Sequence, residues 1–327
     1  MKNVLFAVLA SFLLSCICGM LLLPILRKVK AGQPILEYVE THKIKNGTPT
    51  MGGLFFIIPS SVIFFAFFGF SNRIALFSIC ISLSYMIVGF LDDFLKIKYK
   101  KNLGLKAYQK ILFQLSIALV AGVFVYLRGM TIFYLPFFKK YINFGILSIP
   151  VVIVVLLAIT NSVNLTDGLD GLAGNSALFY LIFLSLIIHF ELNNLPYLYN
   201  NVKEFDSLIS LSCCLIGGLS SFLLFNTGKA SVFMGDTGSL ALGGFIGCIS
   251  IFSFNSLLIP FLGIVFVFSS LSVIIQVFYF KKTGKRVFLM SPYHHHLQIK
   301  GYSEGKISYV YSVATCIMGV LLVICYL

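Results

Sequence analysis

"VLFAVLASFLLSCICGMLLLPIL" covers residues 4–26 without a single charged side chain, and its reading decides the fold. A bilayer core of about 30 Å is crossed by about 20 apolar residues in a helix. A secretory signal has a shorter apolar core, roughly 7–15 residues, and an A-x-A-like cleavage site. This run is longer and passes into "LLLPILRKVK" without such a site, so it reads as a retained transmembrane helix. Comparable stretches recur near 51–70, 74–91, 111–127, 144–160, 171–190, 207–225, 239–256, 257–280 and 307–327. The boundary near Leu257 is marked only by Asn255 and Ser256. The expected fold class is therefore an all-α polytopic membrane protein of about ten transmembrane helices, with one membrane domain over 1–327. No fixed-period repeat, low-complexity tract or long linker divides it.

Composition agrees. The chain is 59% hydrophobic and 11% charged, whereas a soluble domain is roughly a quarter charged. All eight cysteines fall inside predicted spans and none forms a C-x-x-C pair, so they read as small apolar packing residues. Tryptophan is absent, which leaves the 16 tyrosines to supply any interfacial aromatic belt.

Ten crossings place loops 27–50, 92–110, 161–170, 226–238 and 281–306 on one side. They carry 18 of the 24 Lys and Arg residues, so the positive-inside rule makes them cytoplasmic and both termini external. Eight of the 11 acidic residues share that side. The external loops, such as "LNNLPYLYNNVKEFDS", read as plain connectors.

Five cytoplasmic sequences exceed what packing asks for. "HKIKNGTPTMGG" (42–53) leads basic side chains into a turn and a helix start, a combination that suits an anion, although a basic loop with a breaker is the simpler reading. "LDDFLKIK" (91–98) sets Asp92 beside Asp93 at the expected C-terminus of span three, where acids oppose the helix dipole. Two such close carboxylates raise one pKa or recruit a cation, and Lys96 is within a turn. "NSVNLTDGLDGLAG" (161–174) repeats Asn161, Asn164, Asp167 and Asp170 at a three-residue spacing, roughly one face of a helical or tightly turned segment. Such oxygen-rich clusters suit hard cations such as Mg²⁺; a Gly/Asn/Asp loop is the bland alternative. "FNTGKASVFMGDTGSLALGG" (225–244) places Asn226 at the end of span seven and Asp236 at the entry to span eight, as cap or ligand. "SPYHHHLQIKGYSEGK" (291–306) carries His294, His295 and His296, whose consecutive spacing does not suit one metal on a regular helix and fits phosphate binding from a loop better. Together the five imply a Mg²⁺-and-phosphate site at the membrane surface.

The ordered set "HKIKNGTPTMGG", "FLDDFLK", "NLTDGLDGLA", "FMGDTGS" and "SPYHHHLQIKGYSE" resembles the phospho-N-acetylmuramoyl-pentapeptide transferase (MraY) family of polyprenyl-phosphate N-acetylhexosamine-1-phosphate transferases. The likeness runs from the first cytoplasmic loop to the last. It implies transfer of phospho-MurNAc-pentapeptide from UDP-MurNAc-pentapeptide to undecaprenyl phosphate, with Mg²⁺, in the bacterial cytoplasmic (inner) membrane during peptidoglycan synthesis. A homodimer is a further implication. By the same resemblance Asp236 is the leading metal ligand, with Asp92, Asp93 and Asp170 lining its site, and Asp92, Asp93 and Asp236 are the catalytic set. Lys45 and Thr50 are expected to hold phosphate or sugar oxygens, Lys96 the diphosphate, and Asn164 and Asp167 the uridine-sugar end. Asn226, Phe233 and the three histidines complete the substrate-binding set. Ser162, Leu297, Gln298 and Tyr302 depart from the family pattern, where Ala, Phe, Glu and Trp are expected; none of them is one of the aspartates of the expected site.

Two rivals follow from the residues. A transferase for UDP-GlcNAc or another UDP-hexosamine would share the motifs. An ion-coupled transporter would place ionisable groups near mid-span, whereas these acids sit at span ends and His189 is the one candidate, itself near an outer end. The +13 formal charge suits anionic lipid headgroups and needs no nucleic acid.

Overall fold

A computed structural model describes residues 2–29, 47–99, 104–135, 138, 140–194 and 202–326. Lipid offers no hydrogen-bond partners, so apolar segments close their own backbone bonds as helices. These are α1 (Lys2–Lys28), α2 (Leu54–Phe68), α3 (Arg73–Tyr99), α4 (Ala107–Leu127), α5 (Ser148–Thr166), α6 (Leu172–Asn194), α7 (Val202–Asn226), α8 (Gly235–Phe252), α9 (Ile259–Leu262), α10 (Ile264–Thr283), α11 (Tyr293–Ile299) and α12 (Glu304–Tyr326). Among the described residues nine helices are long and apolar enough to cross a membrane, and α2, of 15 residues with Pro59 inside, is a shorter apolar tenth. The chain is an all-α polytopic membrane protein, with one small antiparallel hairpin among the described residues, β1 (Ile132–Leu135) with β2 (Lys140–Asn143), in which Tyr134 faces Tyr141.

Three boundaries differ from expectation. Helix α3 continues to Tyr99, so Asp92 and Asp93 lie inside it rather than at its end. The aliphatic and lysine residues after them keep the helical pattern going, and Lys96 and Lys98 in the last turn suit its dipole. Helix α8 begins at Gly235, earlier than expected, which brings Asp236 into its first turn. The uncertain boundary near Leu257 resolves into a 3₁₀ turn at Ser256–Leu258 and the short α9, whose cap, Gly263, also starts α10.

Helix α8 is the axis of the bundle. Every residue from Thr237 to Phe252 is buried, and small residues let its neighbours approach, as expected where dispersion and close backbone contact hold helices together. A Cβ on Gly89 of α3 would strike the Asp236 carbonyl, and one on Gly53 would strike the backbone of Gly238. The peripheral helices turn apolar side chains outward toward lipid: Leu5, Leu9 and Leu13 on α1, Leu112 and Val120 on α4, Ile274 and Phe278 on α10.

The two ends of the bundle are built differently. At one, the loops carrying the polar motifs converge. At the other, buried Glu191 accepts from Asn255 Nδ2 at 2.6 Å, Tyr326 Oη donates to Asn255 Oδ1 at 3.1 Å, and the hairpin joins through Tyr134 N to Phe254 O at 3.1 Å. Tyr326 thus lies at the end away from the polar loops.

Candidate active site

Helix α3 supplies two adjacent carboxylates with different tasks. The first backbone N–H groups of α8 have no acceptor in their own helix. Asp93, fully buried, provides one: its Oδ2 accepts from Thr237 N at 3.0 Å and Thr237 Oγ1 at 2.7 Å, and its Oδ1 faces Asp236 N at 3.3 Å. Asp93 therefore caps α8 from a neighbouring helix and fixes Asp236. Asp92 turns toward the next loop, where its Oδ1 accepts from Leu105 N at 2.7 Å and its Oδ2 pairs with Lys96 Nζ at 2.6 Å.

Asp236 is the centre of the constellation. Its Oδ2 lies 3.0 Å from Lys96 Nζ and 2.8 Å from Lys110 Nζ, and its Oδ1 accepts from Asn164 Nδ2 at 2.6 Å. Asn164 is held in turn by Ser239 Oγ at 2.8 Å. Four helices, α3, α4, α5 and α8, thus converge on one carboxylate. One turn behind it, Gln114 of α4, which is buried, and Asn161 of α5, which is half-buried, form an amide pair, Asn161 Nδ2 to Gln114 Oε1 at 2.7 Å. Gln114 is four residues from Lys110 and Asn161 three from Asn164, so the pair sets the spacing of the helices that bear them.

The family model described as Glycosyl transferase family 4 matches residues 74–254, more than half of the chain, and so takes in Asp92, Asp93, Lys110, Asn164 and Asp236. A Phospho-N-acetylmuramoyl-pentapeptide-transferase signature matches residues 45–57. Proteins named phospho-N-acetylmuramoyl-pentapeptide-transferase are similar to nearly the whole chain. The one from Caldanaerobacter subterraneus subsp. tengcongensis is 40% identical over 320 residues, 97% of this chain and 96% of its own. That from Clostridioides difficile is 39% identical over 316 residues, 96% and 94%, and that from Clostridium novyi 40% over 325 residues, 97% and 95%.

The chain belongs to the phospho-N-acetylmuramoyl-pentapeptide-transferase family. The other residues expected at this transferase's site divide between the turns beside Asp236 and positions away from it. Thr50 is buried beside Gly235 and Asp93, and its Oγ1 has no hydrogen-bond partner among the described residues. Lys45 lies outside the described residues. Phe233 joins the two loops through its backbone, donating to Pro49 O at 2.8 Å and accepting from Gly52 N at 2.9 Å.

The Asn/Asp ladder does not keep one face. Helix α5 ends at Thr166, so Asn164 reaches Asp236 while Asp170 is carried elsewhere: its Oδ2 accepts from Ala230 N at 3.0 Å and its N–H donates to Glu304 Oε2 at 3.1 Å. Asp167 follows the helix end, where burial and then the charges of Asp236, Asp93 and Asp170 push its carboxyl well above the usual range. Asn226 has both ends of its amide on backbone, accepting from Gly171 N at 3.0 Å and donating to Val232 O at 2.9 Å, and so clasps two loops together.

The three histidines sit on the short helix α11 rather than in a loop, and they do not act as a block. His294 is fully buried with neither ring nitrogen bonded among the described residues, facing Gly168 together with His295. Burial, then His295, hold its pKa well below the ordinary value. His296 points the other way, taking Leu289 N at 3.1 Å and stacking on Tyr293.

Lys110 escaped the sequence reading, which counted it only as loop charge. Its signal was available: a lysine in the opening turns of a helix meets the unfavourable end of the dipole, and acquires a reason only from an acidic partner. Glu304 and Gln114 were missed because each is defined by a contact more than a hundred or nearly fifty residues away.

Asp92, Asp93 and Asp236 bring ligand oxygens within 4.8 Å of one another. An all-oxygen, carboxylate-rich set of this kind fits a hard divalent cation. Lys96 Nζ, within 4.0 Å of all three acids, supplies the cluster's countercharge together with Lys110.

Proposed function

We propose that the protein transfers phospho-MurNAc-pentapeptide from UDP-MurNAc-pentapeptide to undecaprenyl phosphate, releasing UMP and forming the lipid-linked intermediate of peptidoglycan synthesis. The observation that carries this reading is the Asp236 centre, where two lysines, an asparagine and two further acids converge in a chain aligned end to end with transferases of that name. The reading includes a site on the cytoplasmic face of the bacterial inner membrane, supported by the 18 basic residues on that side. It also includes assembly as a homodimer, supported by the family resemblance alone.

Both substrates are anionic, so the site must offset charge before phosphorus and oxygen can meet. Asp236, with Asp92 and Asp93 near, would hold Mg²⁺, which would supply Lewis-acid stabilisation of the diphosphate. Lys96 and Lys110 bind phosphate oxygens beside it, with Asn164 keeping the Asp236 carboxylate in one orientation. Asp92 accepts the remaining proton of the acceptor phosphate. The acceptor oxygen then bonds to the sugar-linked phosphorus, and the bond from that phosphorus to the bridging oxygen breaks, leaving that oxygen and its electron pair on UMP. Thr50, Asp167 and His294 receive the nucleotide-sugar end, each offering a polar group buried near the turns around Asp236 and Gly168.

The test is UMP release by detergent-purified protein given both substrates and Mg²⁺. Asp236→Asn and EDTA should each abolish it, the variant by roughly 10²–10⁴-fold. Release from UDP-GlcNAc in place of the muramoyl donor would move the protein to the sister branch, and Mg²⁺-independent release would remove the metal from the site.

A further inference from the structure

The chain that leaves α11 turns back on itself, and the turn lines up two polar side chains behind His295. Gly301, with a left-handed φ of 91°, follows the helix. Tyr302 N donates to Leu297 O at 3.2 Å and Gly301 N to Gln298 O at 2.9 Å, the pair of bonds by which a glycine closes a helix C-terminus. Helix α12 then starts at Glu304, whose carboxylate returns to meet the Gln298 side chain. His295 and Gln298, three residues apart, share one face of α11. The result is a continuous file of contacts. His295 Nδ1 lies 3.1 Å from Gln298 Oε1, Gln298 Nε2 donates to Glu304 Oε1 at 3.4 Å, and Glu304 Oε2 accepts from Asp170 N at 3.1 Å.

The direction of each bond is set from the far end. A backbone N–H only donates and a carboxylate only accepts, so Glu304 acts as acceptor at both oxygens. Gln298 has a donor NH₂ and an acceptor oxygen on one amide. With its NH₂ drawn to Glu304, its oxygen is the atom turned to His295. A neutral imidazole has one N–H and one lone pair, so Nδ1 carries the hydrogen and Nε2 the lone pair. That Nε2 faces the exposed Gly168, where a Cβ would come within 3.1 Å of it.

We propose that Gln298 and Glu304 are positioning residues that hold His295 as the Nδ1–H tautomer, so that its Nε2 accepts a hydrogen bond from a hydroxyl or amide N–H of the nucleotide-sugar donor at the Gly168 turn. A lone pair there repels phosphate oxygens, which separates this ring from the phosphate contact that the sequence suggests for the three histidines. The identity of the ligand rests on the transferase reading; the tautomer does not.

Glu304→Gln reverses the file without changing its size. Asp170 N still takes the oxygen of residue 304, so the new amide turns its NH₂ to Gln298. Gln298 then gives its oxygen to that NH₂ and its own NH₂ to His295, and the ring hydrogen moves to Nε2. Full-length protein with ¹⁵N-labelled histidine is studied in detergent at about pH 8, above the ordinary histidine pKa. NMR correlation of the ring carbon-bound protons with both nitrogens shows which one bears the hydrogen, and His295→Gln identifies the signal. The expected result is Nδ1–H in the unaltered protein, Nε2–H in Glu304→Gln, and a mixture in Gln298→Met, which removes the polar atoms at similar length. In both variants KM for UDP-MurNAc-pentapeptide should rise about ten-fold, the worth of one hydrogen bond, with kcat and KM for undecaprenyl phosphate unchanged. An Nε2–H form in the unaltered protein, or one tautomer in all three, overturns the relay. An altered tautomer with an unmoved donor KM overturns the contact with the donor. If the unaltered protein releases no UMP, the transferase reading falls and the NMR result still decides the tautomer. Should Glu304→Gln not fold, Gln298→Met carries the same test.

Discussion

At the scale of single residues, the site is an exercise in balancing charge inside a protein embedded in lipid. Asp236 is buried enough that its two ammonium partners and the Asn164 amide define its orientation. Replacing Lys110 by Gln leaves that carboxylate and the incoming diphosphate short of one cation. The expected result is a loss of about 10²-fold or more in kcat/KM for UMP release, with Lys110→Arg recovering part of it. His294 makes a different prediction. The folded protein keeps its imidazole neutral by burial, whereas the unfolded chain takes up a proton below about pH 6.5. The unfolded state then binds more protons, so stability falls as pH falls through that value. Thermal unfolding in detergent should show this slope between pH 7 and 5.5, and His294→Phe should flatten it. Asp92, Asp93, Asn164 and Asp236 were legible in the sequence because carboxylates and amides beside apolar spans have no packing purpose. Lys110 was not, since its meaning depends on a partner 126 residues away.

At the scale of elements, function rests on helices meeting at fixed heights. The Gln114–Asn161 pair ties α4 to α5 one turn behind the two residues those helices send to Asp236. Gln114→Leu should therefore lower kcat about ten-fold, in line with the steep cost of small misplacements, while KM for the donor and the unfolding temperature change little. A drop in stability with kcat intact would reduce the pair to packing. The same scale explains where the sequence reading of boundaries failed. Apolarity ends α3 near residue 91, but helical hydrogen bonding does not end where the membrane does, and α3 runs on to Tyr99. The three-residue ladder from Asn161 to Asp170 shows the converse: a regular spacing in sequence loses its common face as soon as α5 stops at Thr166.

At the scale of the whole molecule, the bundle separates chemistry from anchorage. The site lies at one end, and at the other Glu191, Asn255 and Tyr326 join α6, the turn after α8 and α12. Glu191→Ala should lower stability by about 1–3 kcal/mol, the usual cost of a buried donor left without its acceptor, and should leave KM for both substrates unchanged. Denaturation in detergent and steady-state UMP release would distinguish the two effects. By itself the sequence located the apolar helices and the acids at their polar ends, because hydrocarbon excludes charge and unpaired backbone so strongly that composition alone locates the spans. Only the tertiary structure decided which acid is served by which cation, that Asp93 caps α8 rather than standing free, and that the three histidines divide between two faces. Those outcomes depend on distances between helices, which close packing of small residues such as Gly89 and Gly53 fixes and which no local pattern encodes.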